Sequence, residues 1–274
     1  VDSNNTTAFT ITNDGRFIVG ELGQNVPSFE INSDLSTFNG DVIINGDFGI
    51  AHRTTSSSSS TLNGYTSLDR FYVNNSGGTS SQTQQTFTNG QTEVPGFPKH
   101  YYTFASTVGN NNQGFHQRIE DVRTLAGETV TMSFWAKGTN PAGGEFTSSW
   151  IQDFGSGGSS SVEQAATGNA SGGIVLTPNW KKYSFTYTVP SASGKTIGSD
   201  SFTWVEVIRQ PGTDTGTTAW TADIANVQLE YGTVATPFEY RHFGEELALC
   251  QRYYEEGLGY WNAGGSGYMR EHMP

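Results

Sequence analysis

Regular alternation of apolar and polar positions runs through the middle of the chain and predicts long β-strands. In residues 129–137 (TVTMSFWAK) every second side chain is apolar, and residues 180–190 (WKKYSFTYTVP) repeat the pattern. Because successive side chains of a strand point to opposite faces, each segment is predicted to bury one face and expose the other. Residues 202–209 (FTWVEVIR) are apolar on both faces. This pattern predicts a central strand, or a strand whose second face holds a ligand.

The first 46 residues are predicted to form short hairpins. Segments 9–20 (FTITNDGRFIVG) and 29–48 (FEINSDLSTFNGDVIINGDF) place short apolar alternations around Asn-Asp-Gly and Asn-Gly turns. Isolated two-stranded hairpins are marginal in water. We therefore expect these hairpins either to pack on the following domain or to associate with identical chains around an axis. The apolar residues that need cover are Phe9, Ile11, Phe17, Val19, Phe29, Ile31, Val42 and Ile44.

One helix-like stretch, residues 244–256, lies near the end of the chain. Glu245 and Glu246 occupy its predicted first turn, where the helix dipole favours acidic side chains. Its predicted buried stripe consists of Leu247, Cys250 and Tyr254. We expect residues 237–256 to be ordered and packed on a sandwich or on a neighbouring subunit. Cys250, the single cysteine, is then a small core residue rather than a redox centre.

The composition argues against several classes of function. Of 274 residues, 34% are hydrophobic, 15% are charged and 34 are glycine, which suits short strands joined by polar turns. A net charge of −12 argues against nucleic acid and anionic membranes as partners, because both are recognised chiefly through Lys and Arg. One cysteine cannot form an intrachain disulfide. Because the sequence starts without Met and ends in a segment poor in apolar side chains, we expect it to continue in a longer protein.

Several stretches, in their order along the chain, resemble phage tail-fibre proteins that carry a carbohydrate-binding-module-like domain. They are INGDFGIAHRTTSS, GYTSLDRFYV, GFHQRIEDVRTLAGETVTMSFWAKG, QDFGSGGSS, WKKYSFTYTVPSASGKTIG and IANVQLEYGTVATPFEYRHFGEELALCQRYYE. Together they span roughly residues 44–255. The resemblance implies an all-β fold, a galactose-binding-like jelly-roll β-sandwich attached to a trimeric fibre shaft.

The resemblance also implies a domain organisation and a function. Residues 1–46 would form a shaft-like trimerising β segment, residues 47–240 the sandwich, and residues 241–274 a short helix and the start of a further region. The chain would then be a structural and host-recognition component of a virion, a homotrimeric tail fibre that binds host surface glycan. Two alternatives stay open: a capsid head fibre or decoration (adaptor) protein, and the non-catalytic part of a polysaccharide-degrading tailspike.

A glycan site on such a sandwich needs flat aromatic faces and a few fixed polar groups. Trp150 and Gln152 alternate onto one face of a predicted strand, and Trp204 and Glu206 onto one face of another. The candidate glycan-binding residues are therefore Trp150, Gln152, Trp204, Glu206 and Trp220, with Arg209 and Tyr101 as further candidates. The alternative for any strand tryptophan is burial, because its large side chain suits a core. The tryptophans predicted to be core residues are Trp135 and Trp180.

A structural calcium ion that joins the first strand to the last is a further feature that the resemblance implies. Asp47, in NGDFG, and Asp223, in TADIANV, are the candidate ligands, since calcium prefers carboxylate and carbonyl oxygens. The alternative is that both are ordinary turn acids.

Catalysis finds little support in the sequence. The five histidines lack metal-ligand spacing, and the serine runs lack a nucleophile-elbow pattern. Acidic pairs such as Glu245–Glu246 are neighbours in the chain and are not placed to face each other across a sugar. His116, Arg118 and Glu120 share one face of FHQRIE, which we interpret as a buried hydrogen-bonded network rather than an active site. We therefore expect a binding protein without enzymatic activity.

Overall fold

The computed structural model divides after Gly40 into two compact units, Val1–Gly40 and Asp41–Pro274. The structure describes residues 41–59, 63–75, 78–107, 113–141, 144–163, 173–210 and 219–255, and the backbone of 7–11, 17–21, 29–31, 164–165, 258–261 and 265–268.

The described residues are almost entirely β-structure. The strands are β1 Thr7–Ile11, β2 Phe17–Glu21, β3 Phe29–Ile31, β4 Ser56–Ser59, β5 Phe71–Asn75, β6 Ser80–Thr86, β7 His100–Ser106, β8 Gln113–Glu120, β9 Thr129–Thr139, β10 Ser149–Asp153, β11 Val162–Ala165, β12 Lys181–Thr188, β13 Phe202–Gln210, β14 Trp220–Tyr231, β15 Leu258–Trp261 and β16 Gly265–Tyr268. A 3₁₀ turn covers Val122–Thr124, and the helix α1 covers Phe243–Gln251. No helix among the described residues is both long and apolar enough to cross a membrane.

Two antiparallel sheets form a β-sandwich. The five-stranded sheet has the order β11-β10-β13-β8-β5, and the six-stranded sheet has the order β12-β9-β14-β7-β6-β4. Their inner faces meet in one aromatic-rich core, where the ring of Phe115 in β8 lies 5.2 Å from Tyr102 and 5.9 Å from Phe104, both in β7. The predicted all-β class, with a jelly-roll sandwich and a short C-terminal helix, is confirmed.

The alternation read from the sequence reappears in the strands. In β12, Tyr183, Phe185 and Tyr187 are buried while the residues between them are exposed or half-buried, as predicted. In β9 the predicted inward side chains are buried as well. β13 is buried on both faces over much of its length, because it lies at the centre of the five-stranded sheet between β10 and β8.

Residues 41–46 belong to the sandwich unit, so the division falls six residues earlier than the sequence led us to expect. Ile43 is fully buried in the core. The carboxylate of Asp41 accepts hydrogen bonds from the backbone N–H groups of Ile43 and Leu229, at 2.9 and 2.8 Å. These contacts fix the entering chain against β14, the longest strand of the six-stranded sheet.

The N-terminal unit contains a three-stranded antiparallel meander with the order β1-β2-β3. The predicted hairpin in residues 9–20 is confirmed, since β1 and β2 pair from Thr7 opposite Glu21 to Ile11 opposite Phe17. The second predicted hairpin lies partly outside the described residues. Its first strand, β3, pairs with β2, and Val42 and Ile44 lie within the sandwich unit. The loops of this unit lie outside the described residues.

The C-terminal helix packs on the sandwich. Cys250 is fully buried, as predicted, and burial raises the pKa of its thiol far above the ordinary value. Beyond the helix, the guanidinium groups of Arg70 and Arg53 lie over the rings of Tyr253 and Tyr254, 3.3 and 3.7 Å from the ring centroids.

The buried stripe of the helix differs from the predicted one. Glu246 and Cys250 are its buried residues, while Leu247 is half-buried. An acid can occupy the buried position because Arg241 reaches its carboxylate, with Nη1 3.1 Å from Oε2. The helix is therefore held partly by an ion pair that apolar periodicity does not reveal.

Candidate functional site

Two of the tryptophans predicted to bind glycan lie in the core. Trp150 is 2% exposed, and its ring lies 4.3 Å from that of Tyr187 on the opposite sheet. Trp220 is 1% exposed and makes edge-to-face contacts with Phe104 and Phe146. The pairing of Trp150 with Val205 turns the indole inward. Neither ring can serve as an exposed platform, so the sequence prediction was wrong for both.

Gln152 and Tyr101 do not join Trp204 either. Gln152 shares the inward face of β10 with Trp150, and its amide donates to the carbonyl oxygen of Pro190 at 2.9 Å. Tyr101 lies on the outer face of the six-stranded sheet, with its ring 5.6 Å from that of Trp180. Trp180 is buried as predicted, whereas Trp135 is half-buried, and both belong to a small cluster outside the main core.

The outer face of the five-stranded sheet carries the remaining candidates, Trp204 and Glu206. Strand pairing places Glu206 opposite His116 and Trp204 opposite Arg118. It also places Tyr72 opposite His116 from the other side. Side chains on the same sheet face at paired positions are direct neighbours. The adjacent strands β5, β8 and β13 therefore contribute aromatic, cationic and acidic side chains to one connected row.

A stack of three rings lies at the centre of this outer face. The His116 ring lies 4.8 Å from that of Tyr72 and 3.5 Å from that of Trp204, with interplanar angles of 29° and 20°. Burial, and then the charge of Arg118, hold the pKa of His116 well below its ordinary value, so the imidazole is neutral. The guanidinium of Arg118 lies 4.4 Å from the ring of Tyr72 and 4.6 Å from that of Phe202.

Five unpartnered polar atoms lie together on this face. They are both ring nitrogens of His116, Nε of Arg118, Nε1 of Trp204 and Oε1 of Glu206, all shielded from solvent and without a hydrogen-bond partner. Buried polar atoms are normally hydrogen-bonded, because leaving one unpaired costs about 1–3 kcal/mol. Unmet donors and acceptors gathered beside accessible rings are typical of a surface prepared for a ligand.

Glu206 owes its position to a β-bulge and to a glycine. The register between β13 and β8 shifts between Glu206 and Ile208, so Arg209 returns to the same face, with Nε 3.3 Å from Glu206 Oε2. The hydroxyl of Ser149 donates to the same oxygen at 2.8 Å. A Cβ atom at Gly114 would lie 2.8 Å from Glu206 Oε1, so only glycine leaves room for this carboxylate. Burial raises its pKa from the ordinary 4.5 to about 7.

Stability should fall with rising pH because of Glu206. Its pKa is raised in the folded state, so its stabilising contribution is complete below pH 4.5 and disappears as the pH rises through about 7. The shift corresponds to about 3 kcal/mol. We expect Glu206→Gln to remove most of that difference when urea unfolding is compared at about pH 5 and about pH 8.

Glu163→Gln is the matched control, because Glu163 is an exposed acid that pairs with the same Arg209. Most of the pH-dependent slope should persist in this control. Asp41, whose pKa burial also raises, contributes to the slope of every variant equally. If the free energy of unfolding of Glu206→Gln changed with pH as much as that of the wild type, the raised pKa of the buried Glu206 carboxyl would be contradicted.

The two aspartates predicted to bind calcium are not brought together. Asp223 Oδ1 accepts a hydrogen bond of 2.6 Å from the hydroxyl of Thr103. Asp47 Oδ1 accepts from the backbone N–H of Gly49 at 3.0 Å. Residue 46 contacts Val227, four positions beyond Asp223, which is about 13 Å along a strand. The described residues contain no group of three His, Cys, Asp or Glu side chains suited to a metal, so this pair does not fit the implied ion.

A cavity of about 480 Å³ lies between residues 96–100 and the start of the helix. Phe97 and Phe243 line it and are 72% and 63% exposed. Its charged groups are largely used within the protein, for example Arg241 by Glu246. The outer face of the five-stranded sheet is the stronger candidate because its polar atoms lack partners.

Sequence reasoning identified only part of this site. Trp204 and Glu206 were candidates, and the double-sided apolar pattern of β13 had already suggested a ligand on its second face. His116 and Arg118 were placed correctly on one face of β8. The predicted hydrogen-bonded network was wrong for His116, because its ring is stacked and neither nitrogen has a partner. Tyr72 and Phe202 were missed, since no local pattern distinguishes them from core residues.

Comparison with protein-family models and with curated proteins gives no match. Among solved structures, the enzymatically active domain of bacteriophage CBA120 tailspike protein 4 is 15% identical, with a TM-score of 0.37 over 70% of this chain and 21% of that chain. The CBM22-1 xylan-binding domain of Paenibacillus barcinonensis Xyn10C is 11% identical, with a TM-score of 0.37 over 65% and 95%. The Stig cyclase Fisc from Fischerella sp. TAU is 10% identical, with a TM-score of 0.41 over 72% and 98%. Similarities this distant do not bear on what the chain binds.

Proposed function

We propose that this protein is a non-catalytic glycan-binding component of a phage virion, and that it binds glycan on the outer face of the five-stranded sheet. The observation that carries the proposal is the row of rings and unpartnered polar atoms on that face, centred on Trp204 and His116. Sugars present an apolar C–H face and a rim of hydroxyls. A site that offers both ring surfaces and unused hydrogen-bonding atoms is complementary to both.

The accessible surface of the row determines how a sugar would bind. Tyr72, Phe202 and Trp204 are half-buried, so part of each ring is open to solvent, while His116 is covered. A sugar would stack on the open part of Trp204 or Tyr72 and accept hydrogen bonds from the terminal N–H groups of the Arg118 guanidinium. His116 would act beneath them as a positioning residue that fixes the planes of the two rings. This arrangement holds the platform on strands rather than on loops, which favours a rigid site.

The absence of chemistry is part of the proposal. Two carboxyl groups about 5–9 Å apart across a sugar are needed for glycoside hydrolysis. On this face Arg209 contacts both Glu206 and Glu163, at 3.3 Å each, so both acids are engaged in an ion pair within the protein. A reducing-sugar assay on every polysaccharide that binds tests this point, and release of reducing ends would overturn it.

The place in the virion is proposed from the resemblance to tail fibres. In that role the chain would be a homotrimer held through its N-terminal β segment, and three linked sites would raise avidity by about 10²–10⁴. A head fibre or decoration protein, and a tailspike part, are the alternatives. Light scattering of the full chain measures its oligomeric state, and antibody labelling of intact virions separates tail from head.

Trp204→Ala should abolish most glycan binding. Trp204 supplies a half-buried ring of the stack and an N–H group without a hydrogen-bond partner. Removing a stacked aromatic platform should weaken affinity about tenfold or more. The measurement is binding of the full chain to a glycan array, followed by calorimetric titration with the strongest hit.

Trp135→Ala is the matched control, because Trp135 is also half-buried but lies on the outer face of the opposite, six-stranded sheet. Both variants must first show a cooperative thermal transition. Equal affinity of wild type and folded Trp204→Ala would refute the site, and a Trp135→Ala defect of the same size would place binding on the other face.

A further inference from the structure

Arg118 carries a positive charge that is not paired with any acid in the part of the chain that the structure describes. Among the described residues its guanidinium forms no ion pair and no hydrogen bond, and only its Nε is shut off from solvent. Two other half-buried arginines pair with acids: Arg209 contacts two glutamates, and Arg241 pairs with Glu246. Arg70, which is buried, lies over the ring of Tyr253 and donates to the carbonyl oxygen of Arg118. Arg118 is held instead by two rings, those of Tyr72 and Phe202.

A shortage of acids does not explain this isolation. The chain has 26 acidic residues against 14 Lys and Arg. Two acids that lie on the same face of the sheet as Arg118 already have partners. Glu120 binds Arg252 and the hydroxyl of Tyr253, and Glu206 binds Arg209 and Ser149. A lone half-buried guanidinium in so acidic a protein therefore has its binding capacity unused.

The two rings also prepare Arg118 to bind an anion. Stacking fixes the plane of the guanidinium and removes part of its hydration, while its N–H groups remain directed along the edges of the plane. A planar fork of this kind matches a carboxylate through two parallel hydrogen bonds. His116, being neutral, adds no second cation, and Trp204 lies opposite Arg118 on the next strand, where its ring can support the same ligand.

We propose that the glycan bound on the outer face is acidic, and that Arg118 binds the carboxylate of a uronic or sialic acid type of sugar. The inference rests on the proposed glycan-binding function and names its substrate class. Binding should weaken with added salt, in contrast to binding of a neutral sugar on rings alone. The protein's own net charge of −12 opposes acidic ligands in general, so recognition would depend on this one local cation.

Carboxyl reduction of the ligand tests the inference without altering the protein. Wild-type full chain is applied to an array of neutral, uronic, sialylated, sulfated and phosphorylated glycans. The strongest polysaccharide hit is then treated with carbodiimide and borohydride, which converts each carboxylate to a primary alcohol. We expect the hits to carry carboxylates, and the reduced polymer to bind at least about tenfold more weakly in calorimetric titration.

Arg118→Gln gives the complementary test. It should lose about the same affinity for the native polymer, and it should no longer distinguish that polymer from its reduced form. Lys137→Gln is the control, because it removes one positive charge that lies 5.1 Å from a ring, that of Trp180, on the opposite sheet. It should keep both the affinity and the discrimination.

The outcomes separate this inference from the function on which it rests. Hits confined to neutral, sulfated or phosphorylated glycans, or equal binding of native and reduced polymer, overturn the carboxylate assignment and leave glycan binding intact. Failure of the wild type to bind any glycan overturns both. If Arg118→Gln does not fold, the comparison of native with reduced polymer on the wild type still decides the question.

Discussion

Replacing Trp220 by Ala is expected to lower the free energy of unfolding by about 3–5 kcal/mol while leaving the affinity of the folded protein for glycan unchanged. Trp220 is the largest fully buried side chain among the residues that the structure describes, and it packs edge to face against Phe104 and Phe146 at 5.0 and 5.1 Å. Its Nε1 donates to the side-chain oxygen of Gln210 at 2.8 Å. Truncation would leave a cavity in the centre of the sandwich and remove that hydrogen bond.

Urea unfolding followed by far-UV circular dichroism measures the effect of Trp220→Ala. Trp220→Phe is the intermediate case, because it keeps one ring in the core but loses the N–H donor and part of the indole volume, so a smaller loss than for Trp220→Ala is expected. Trp204→Ala should show the opposite pattern: a smaller loss of stability than Trp220→Ala and a large loss of affinity for glycan. If Trp220→Ala were as stable as the wild type but unable to bind glycan, Trp220 would be a binding residue rather than a core residue.

The contrast between Trp220 and Trp204 shows where sequence reasoning reaches its limit. Period-two alternation correctly located strands such as β9 and β12, because every second side chain is apolar and buried, although in β9 Thr131 and Ser133 on the other face are buried as well. Alternation does not say which sheet a strand joins or what lies opposite it. Trp150 and Trp204 belong to neighbouring paired strands, yet they point to opposite faces, because Trp150 pairs with Val205.

The candidate site was hard to predict for a related reason. Its members come from β5, β8 and β13, which are separated by long stretches of chain and become neighbours only through sheet order. The bulge that returns Arg209 to the face of Glu206 also breaks the expected alternation. Bulges of this kind redirect side chains and are not marked by a local sequence pattern here. What could be read locally was the unusual apolar content of both faces of β13.

The outer face of the five-stranded sheet is as deeply buried at its centre as a protein core. His116 and Glu206 are fully buried on a side of the sheet that no second sheet covers among the described residues. Their unpartnered atoms reduce stability, since unpaired buried groups are costly. A bound ligand could supply hydrogen bonds to these atoms. The unpaired polar groups of this face are therefore consistent with the proposed binding.

Replacing Arg241 by Ala is expected to release the C-terminal helix and to cost about 3–5 kcal/mol, the loss typical when a buried ion pair keeps only one partner. Arg241 donates to the backbone oxygens of Asp41 and Ile43 as well as contacting the carboxylate of Glu246. Glu246 in turn accepts from the backbone N–H of Asn45. Without the guanidinium, Glu246 is a buried carboxylate without its cation, and two carbonyl oxygens lose their donor.

Thiol labelling reports this release directly, because Cys250 is fully buried against the sandwich in the native protein. We expect a bulky thiol reagent to label Cys250 much faster in Arg241→Ala than in wild type under native conditions. Arg252→Ala is the control: its ion pair with Glu120 joins side chains that are 61% and 39% exposed, so it should cost at most about 1 kcal/mol and leave labelling slow. Rapid labelling of the wild type, or slow labelling and full stability of Arg241→Ala, would show that the helix is not held on the sandwich by this residue.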